Sequence, residues 1–257
     1  GRYCGECLHE DLDLYIQQYM DQAEQRYAAA FASGGRYFLD AGCGAKPRTE
    51  LARNYRLHVC VDISKVGLME ARSRLGGRGV FVIADLACLP FATKAFQGVL
   101  ASHSLYHVDK DMQAHVVGEL YRVAQPGRNV LIFYNAKNSL LATLGRVAKT
   151  ARQGFTTKNV SDSQHIPPIY VYTYPPRWFK RLFPWADITC LRTFGMAETE
   201  LLSRLRLARL VIPVVSWLEE RLPHVMAAIG RYIAVRIERH DWIPLQNRDA
   251  AIESVQS

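Results

Sequence analysis

The chain has 257 residues, of which 49% are hydrophobic and 22% are charged. This balance excludes a disordered or fibrous chain, and there is no uninterrupted apolar run of about 18 residues that could cross a bilayer. A chain of this length buries about 70–75% of its unfolded surface, so we expect residues 1–257 to form a single domain that needs neither disulfides nor a structural metal.

The net charge of +8 is concentrated in the second half of the chain. Residues 1–120 carry 13 basic and 14 acidic side chains, whereas residues 121–257 carry 19 and 10. Such an asymmetry indicates either a solvated basic face or an anionic partner, for example a phosphate-bearing substrate, anionic lipid or nucleic acid.

The six cysteines are scattered through a chain without an apolar signal segment, which predicts a reduced, cytoplasmic protein. Cys4 and Cys7, with His9 nearby, have the spacing of a zinc knuckle. A structural zinc site needs four ligands and no second pair follows, so we predict no metal.

Helical spacing of apolar residues predicts a helix over about residues 11–31, within an N-terminal segment 1–35 that ends in Ser33, Gly34 and Gly35. Short apolar runs then alternate with amphipathic stretches, which predicts strands near 37–39, 57–61, 80–83, 99–101 and 130–134. Near-continuous apolar strands separated by helices are typical of a parallel sheet covered on both faces, an α/β fold.

The rest of the chain predicts acceptor-side or cap segments at 135–184 and 195–229 and two further strands at 188–194 and 232–237. A helical stretch over 198–226 separates these strands and is expected to break at Pro213. Its apolar stripe beside Arg204, Arg206 and Arg209 fits a core or dimer contact, an active-site cap or a peripheral membrane surface.

Acidic residues follow three successive predicted strands. Asp40 precedes the Gly42, Cys43, Gly44 turn, where glycines allow the backbone to approach a ligand. Asp62 ends the second strand, where a carboxylate can accept hydrogen bonds from ribose hydroxyls. Asp85 follows the third. Pro47 stands where a dinucleotide fingerprint has its third glycine, which argues against NAD or FAD.

With these residues the chain resembles the class I S-adenosylmethionine-dependent methyltransferases of the type 11-like branch. The resemblance spans about residues 36–134 and is carried by FLDAGCG (38–44), CVDIS (60–64), ADLACLPF (84–91), VLASHSLYHV (99–108) and ELYRVAQPGRNVLIF (119–133). It implies a Rossmann-like, seven-stranded, mostly parallel sheet around the 36–134 cofactor core. GCGAKP and HIPPIYVYTYPPRWFKRLFP also resemble a subgroup associated with cell-surface saccharide or glycolipid modification.

The resemblance further implies S-adenosyl-L-methionine as cofactor. The implied cofactor-binding residues are Asp40, Gly42, Cys43, Gly44, Asp62, Ile63, Asp85, Leu86 and Ser102. The sequence departs from the family at Ala45 and Lys46, where a further glycine is usual, so the contacts at the methionine end are the least determined.

Methyl transfer requires an aligned acceptor and, for a hydroxyl or amine, a base that removes its proton. His103 and His107 follow the fourth predicted strand and are candidate bases, or packing residues; His165 is a third candidate. Tyr106 and the alternating Tyr170, Tyr172 and Tyr174 are candidate acceptor-binding residues, or an aromatic edge packed on the core.

The sequence therefore predicts a methyltransferase that acts at oxygen on a small-molecule, saccharide or lipid-linked acceptor. The basic second half of the chain would suit an anionic acceptor. Two alternatives stay open: an RNA methyltransferase, although no RNA-binding module is recognisable and no nucleic-acid partner is expected, and a nucleoside-binding protein without turnover. The oligomeric state is not determined by the sequence.

Overall fold

The computed structural model describes residues 5–136, 170–204 and 207–240. The strands are β1 (Gly35–Ala41), β2 (Tyr55–Asp62), β3 (Gly79–Ile83), β4 (Gly98–Ser102), β5 (Asn129–Asn135), β6 (Asp187–Arg192) and β7 (Tyr232–Glu238). The helices are α1 (Gly5–Gln25), α2 (Lys65–Leu75), α3 (Gln113–Val123), α4 (Pro176–Leu182), α5 (Met196–Arg204), α6 (Ala208–Arg221) and α7 (Pro223–Ile229). Short 3-10 turns, including Arg26–Phe31, Leu105–His107 and Lys110–Met112, join some of these elements.

All seven strands form one sheet in the order β3-β2-β1-β4-β5-β7-β6. The neighbours from β3 to β5 pair in parallel, whereas β7 lies antiparallel to both β5 and β6. Six strands therefore end at the same edge of the sheet, here called the carboxyl edge, where β7 begins. The α/β prediction with a mostly parallel seven-stranded sheet is confirmed.

The apolar strands bury both faces of the sheet, as the near-continuous hydrophobic runs predicted. Leu39, Val99 and Ile132 face one side and pack with α3, α4 and α7. Phe38, Leu100 and other alternate residues face the opposite side, where they pack with the chain between α1 and β1. Burial of these side chains on two faces holds the strand ends in fixed positions along the carboxyl edge.

A buried carboxylate joins α1, β6 and α6 on that second side. Glu219 of α6 accepts hydrogen bonds from the Tyr19 hydroxyl at 2.8 Å and from the Thr193 N–H at 2.7 Å. Its other oxygen lies 2.9 Å from the Arg26 guanidinium, which also donates to the Leu191 carbonyl. The end of α1 is therefore fixed against β6.

The predicted 198–226 helix is three helices, and the expected break at Pro213 is wrong. Pro213 lies inside α6 on its exposed side, where water can satisfy the carbonyl that the missing N–H leaves free. The helix instead ends at Leu222, whose backbone leaves the helical region, and α7 begins at Pro223. Proline is favoured at the first position of a helix because no hydrogen bond is lost there.

The outer face of α6 carries an exposed apolar row of Leu210, Val214 and Trp217 beside the exposed Arg209. The predicted membrane or dimer contact of this segment stays a prediction; the side chains of Arg204 and Arg206 lie outside the described part. Within the described ranges, none of the helices has both the length and the apolar character needed to cross a membrane.

Candidate active site

The turn after β1 brings backbone close to backbone at the carboxyl edge. Gly42 has φ +71° and its N–H donates to the Val61 carbonyl at 2.7 Å. A Cβ on Gly42 would lie 2.3 Å from the Cβ of Ser104, so only glycine fits. Cys43 is buried, and its N–H also reaches the Val61 carbonyl. The turn is therefore fastened to β2 and to the segment after β4.

Gly44 has the same left-handed backbone but a different neighbourhood. Its φ is +53°, and a Cβ built there would meet nothing within 4 Å. The space beside Gly44 is thus open, and any ligand at this edge can approach the backbone directly.

Asp62 ends β2 next to this open space. One carboxylate oxygen accepts from the Gly44 N–H at 2.8 Å, and the other accepts from the Ser64 N–H at 2.8 Å. Each carboxylate oxygen can accept a second hydrogen bond, so two positions are left for a diol. Ile63, the next residue, is 77% exposed and offers an apolar surface beside the carboxylate.

The third acidic residue lies one strand further along the same edge. Asp85 is exposed and one of its oxygens accepts from the Ala87 N–H at 2.8 Å, which orders the turn after β3. Leu86 is buried, and its side chain lies 3.5 Å from the Cβ position of Gly42. Asp62 and Asp85 therefore stand at two adjacent strand ends, joined by the hydrogen bond from the Ala84 N–H to the Asp62 carbonyl.

Asp40 lies beneath the glycine turn rather than at the ligand surface. It is fully buried; one oxygen accepts from the Arg48 N–H at 2.8 Å and lies 3.0 Å from His58 Nε2. Its contribution is to order the loop that carries Gly42 and Gly44. Asp40, His58 and Cys60 form a group of residue types that can bind a metal, among the described residues. The hydrogen bond between Asp40 and His58 explains why these two side chains lie together without a metal.

A second polar cluster lies at the end of β4. Ser102 is buried, and its hydroxyl accepts from the Nε of Arg48 at 3.1 Å. The same Nε lies 2.6 Å from a carboxylate oxygen of Glu24, on α1. The other oxygen of Glu24 lies 3.4 Å from Nε2 of His103.

His103 occupies an unusual backbone conformation. Its φ is +58°, a left-handed region that non-glycine residues rarely adopt and that is frequent at functional sites. Its N–H donates to the Phe133 carbonyl, and its ring packs at 87° against Tyr232 with centroids 5.2 Å apart. Both ring nitrogens are shielded from solvent and make no hydrogen bond of good geometry with the described residues.

The electrostatics of this cluster keep His103 neutral and Glu24 ionised. Burial lowers the pKa of His103 below its ordinary value; Glu24 opposes the shift, whereas Arg192 and Arg48 reinforce it. Burial by itself raises the pKa of Glu24, but His103, Arg48 and Arg192 outweigh it and the pKa lies below its ordinary value. At neutral pH the cluster therefore holds an uncharged imidazole beside a carboxylate.

His107 has a different environment from His103. It is exposed, and its Nδ1 lies 2.9 Å from the Tyr170 carbonyl, so its ring holds the chain at residue 170. Tyr106 lies between the two histidines, with ring centroids 6.2 Å from His103 and 4.5 Å from His107. Burial raises the pKa of Tyr106 to about 12, so its hydroxyl stays protonated. His165 lies outside the described residues.

The three alternating tyrosines share neighbours, as their spacing predicts, but they pack on the protein. The Tyr170 hydroxyl accepts from the Lys110 N–H, and the Tyr174 hydroxyl donates to the Lys110 carbonyl. Tyr172 and Tyr174 lie edge to face at 5.0 Å. Tyr174 stacks on Trp178 at 4.4 Å. The three tyrosines thus contact other residues of the described chain, as expected for an aromatic edge packed on the core. Their candidate role in acceptor binding stays a prediction.

The part of the chain that forms this edge matches a known protein family. Residues 39–132, which contain the glycine turn, Asp62, Asp85 and His103, match the family described as a methyltransferase domain. This match agrees with the resemblance of the sequence to the class I S-adenosylmethionine-dependent methyltransferases.

Two curated relatives extend the match beyond this domain. Methyltransferase GfsG of Streptomyces halstedii is 34% identical over 152 residues, which is 56% of this chain and 52% of the relative. O-methyltransferase resE of Aspergillus sclerotiorum is 31% identical over 108 residues, 39% of this chain and 40% of the relative. The chain thus spans about half the length of the curated relatives that it matches. The narrower resemblance to a saccharide or glycolipid subgroup is not borne out by them.

The methyltransferase fold extends over most of the chain. A methyltransferase structure from Bacillus halodurans covers 84% of this chain and 99% of its own, with a TM-score of 0.52 and 15% identity. At this identity the likeness shows the fold alone.

Sequence reasoning missed three residues of the polar cluster at the end of β4. Glu24 is separated from His103 by 79 positions, and in the sequence it is one polar residue of an ordinary amphipathic helix. Arg48 lies in the loop after the glycine turn, and Arg192 ends a strand on the far side of the sheet. Only the order of the strands brings them to one edge, so no local pattern could have indicated them.

Proposed function

We propose that the protein transfers the methyl group of S-adenosylmethionine to an oxygen atom of a small-molecule acceptor. The observation that carries the proposal is the end of β2, where the ionisable Asp62 and the exposed Ile63 lie beside the open space at Gly44. A carboxylate with free acceptor positions next to an apolar surface suits a ribose diol followed by a purine.

The residues present fit this cofactor. Asp62 would accept from the ribose hydroxyls, Ile63 and Leu86 would cover the adenine, and Asp85 would accept from its amino group. The backbone at Gly42 and Gly44 adjoins the methionine end. When bound, S-adenosylmethionine supplies an activated methyl group on a good leaving group, so the chain's own residues have only to bind, align and deprotonate the acceptor.

His103 is the base of this proposal. It follows β4 at the edge where the acceptor meets the methyl group, and it is neutral at neutral pH because burial lowers its pKa. His107 holds the chain at Tyr170 instead. Tyr106, with its protonated hydroxyl, lies against His103 and can donate a hydrogen bond to the acceptor oxygen.

The acceptor is proposed to be a small molecule that carries a hydroxyl group and an anionic group. The oxygen acceptor is supported by the name of resE, an O-methyltransferase. The anionic group is supported by the buried Arg192, whose guanidinium lies 4.2 Å over the Tyr232 ring and whose Nε has no hydrogen-bond partner in the described part of the chain. Arg48 adds a second cation beside Glu24.

The test is a transfer assay with methyl-labelled S-adenosylmethionine and a panel of phenols and aliphatic alcohols, each with and without a carboxylate. We expect label in an ether product and a preference for the carboxylate-bearing members. Label transferred to an amine or thiol in a parallel panel, but not to any hydroxyl, would contradict the oxygen assignment. Binding of S-adenosylhomocysteine without transfer to any acceptor would favour a protein without turnover.

A further inference from the structure

The carboxylate of Glu24 is the negative group nearest to the His103 ring. Its Oε1 lies 3.4 Å from Nε2, and its Oε2 lies 2.6 Å from the Nε of Arg48. The side chains of Glu24 and His103 are 16% and 17% exposed, so water screens their interaction only weakly.

Glu24 is held in this place from both sides. Two residues later, Arg26 donates to the Leu191 carbonyl and pairs with the buried Glu219. Tyr27 donates to the Cys190 carbonyl at 2.8 Å. On the other side, Arg48 is fixed by its own bonds to Ser102 and Asp40. The Glu24 carboxylate is therefore preorganised by α1, β6 and the loop after β1.

The groups that face His103 come from five elements, and three of these groups are charged. Glu24 lies on α1, Arg48 in the loop after β1, Tyr106 in the turn after β4 and Arg192 on β6. Tyr232, on β7, contributes the face of its ring. Among these groups only Glu24 is an anion. A neutral imidazole in this field places its N–H toward Glu24, because its lone pair would be repelled there.

We propose that Glu24 is a positioning residue for His103, which it holds in the Nε2–H tautomer so that Nδ1 is the nitrogen that takes the acceptor's proton. The inference rests on the proposed function. In the step, an acceptor oxygen forms a bond to the methyl carbon as the carbon–sulfur bond breaks, with that bond's electron pair remaining on sulfur. The O–H proton passes to Nδ1, and the O–H electron pair stays on the oxygen. His103 becomes a cation that Glu24 stabilises, and the proton leaves the ring when the product departs and water enters the site.

This assignment makes the N-terminal helix part of the active site. The helix precedes the matched methyltransferase domain at residues 39–132, and nothing in that domain supplies an equivalent carboxylate to His103 among the described residues. Removal or displacement of α1 would leave the cofactor residues in place but the base without its partner.

The test compares Glu24→Gln and Glu24→Ala with the control Glu119→Gln. The control removes a different ion-paired carboxylate, on α3, whose partner is Arg122 rather than His103 or a residue of α1. The primary readout is the ¹⁵N spectrum of histidine-labelled full-length protein without ligand, titrated with pH and assigned with His103→Gln. It reports the tautomer and the pKa of His103 directly and needs neither cofactor nor acceptor.

In the wild type we expect the Nε2–H tautomer and a pKa below the ordinary 6.5 of histidine. Glu24→Gln should keep the tautomer, because the amide oxygen still accepts, and should lower the pKa further, because the charge is lost. Glu24→Ala should mix the tautomers, and Glu119→Gln should leave both the tautomer and the pKa of His103 unchanged. With the best acceptor of the panel, kcat should fall about 10-fold in Glu24→Gln and about 100-fold in Glu24→Ala, with KM for the cofactor unchanged.

An Nδ1–H tautomer in the wild type would overturn the proposal, as would a Glu24→Gln variant whose His103 titrates as in the wild type. If Glu24→Ala does not fold, the Gln variant carries the test alone. Failure of the proposed function looks different: the wild type would transfer no methyl group, while the tautomer and pKa results stand as they are.

Discussion

Three glycines have the same left-handed backbone but different surroundings. Substitutions at these positions can therefore distinguish an effect on stability from an effect on ligand binding. Gly42, Gly44 and Gly127 have φ values of +71°, +53° and +70°. A methyl group at Gly42 would collide with Ser104, whereas at Gly44 and Gly127 it would meet nothing within 4 Å. Gly127 lies in the turn before β5, at the opposite end of the sheet from the carboxyl edge. Alanine at the three positions therefore forms a matched set.

The left-handed backbone costs an alanine about 1 kcal/mol at each position. At Gly42 the Cβ lies 2.3 Å from the Ser104 Cβ and 2.7 Å from its hydroxyl oxygen. Relief of that overlap displaces Ser104 and its 3.0 Å hydrogen bond to the Ala41 carbonyl, which adds about 2 kcal/mol. We expect Gly42→Ala to lower the free energy of unfolding by about 3 kcal/mol, and Gly44→Ala and Gly127→Ala by about 1 kcal/mol each.

Urea unfolding measures the three stabilities, and isothermal titration with S-adenosylhomocysteine measures the affinities. Gly44→Ala should weaken binding at least about 10-fold, because its methyl group enters the space where the ligand lies, although its stability matches that of Gly127→Ala. Gly127→Ala should bind as the wild type does. Wild-type affinity in Gly44→Ala would refute this prediction, because it would show that the ligand does not occupy the open space beside Gly44.

Other predictions concern the adenine end and the acid side of the pH range. Ile63→Ser should weaken S-adenosylhomocysteine binding about 5-fold with little loss of stability, whereas Val225→Ser, at another exposed apolar position that lies on α7, should change neither quantity. Asp85→Ala should reduce the affinity for S-adenosylhomocysteine more than that for the inosine analogue, which lacks the amino group; equal losses would argue against its contact with that group. Because the folded pKa of Glu24 lies below 4.5, its contribution to stability is present above pH 4.5 and disappears as the pH falls through the folded value. Unfolding free energies measured from pH 7 to 3 should therefore fall less steeply below pH 4.5 in Glu24→Gln than in the wild type.

The sheet and the placing of Asp62 and Asp85 at one edge could be predicted because their signals are local. Each buried strand is a short apolar run, and Asp62 and Asp85 directly follow such runs, so parallel order alone places them at one edge. The glycine turn is likewise a contiguous motif, and Gly42 and Gly44 both have the positive φ that it requires.

The surroundings of His103 and of the three tyrosines could not be predicted because their contacts join distant parts of the chain. Glu24 meets His103 only after α1 packs across β6, a contact that no spacing encodes. The alternation of Tyr170, Tyr172 and Tyr174 correctly indicated shared neighbours but not what lies there, which is the turn at Lys110. The break expected at Pro213 failed because an exposed position in a helix tolerates proline.

The central claim is that the end of β2 binds S-adenosylmethionine through Asp62, whose carboxylate lies 2.8 Å from the Gly44 and Ser64 amides. The most direct test is isothermal titration of S-adenosylhomocysteine into the wild type and into Asp62→Ala, with thermal unfolding as the check that the variant is folded. We predict saturable binding to the wild type and an affinity at least about 30-fold lower in the variant, from the loss of two hydrogen bonds to a charged acceptor. No binding to the wild type, or equal binding to a folded Asp62→Ala, would contradict the account.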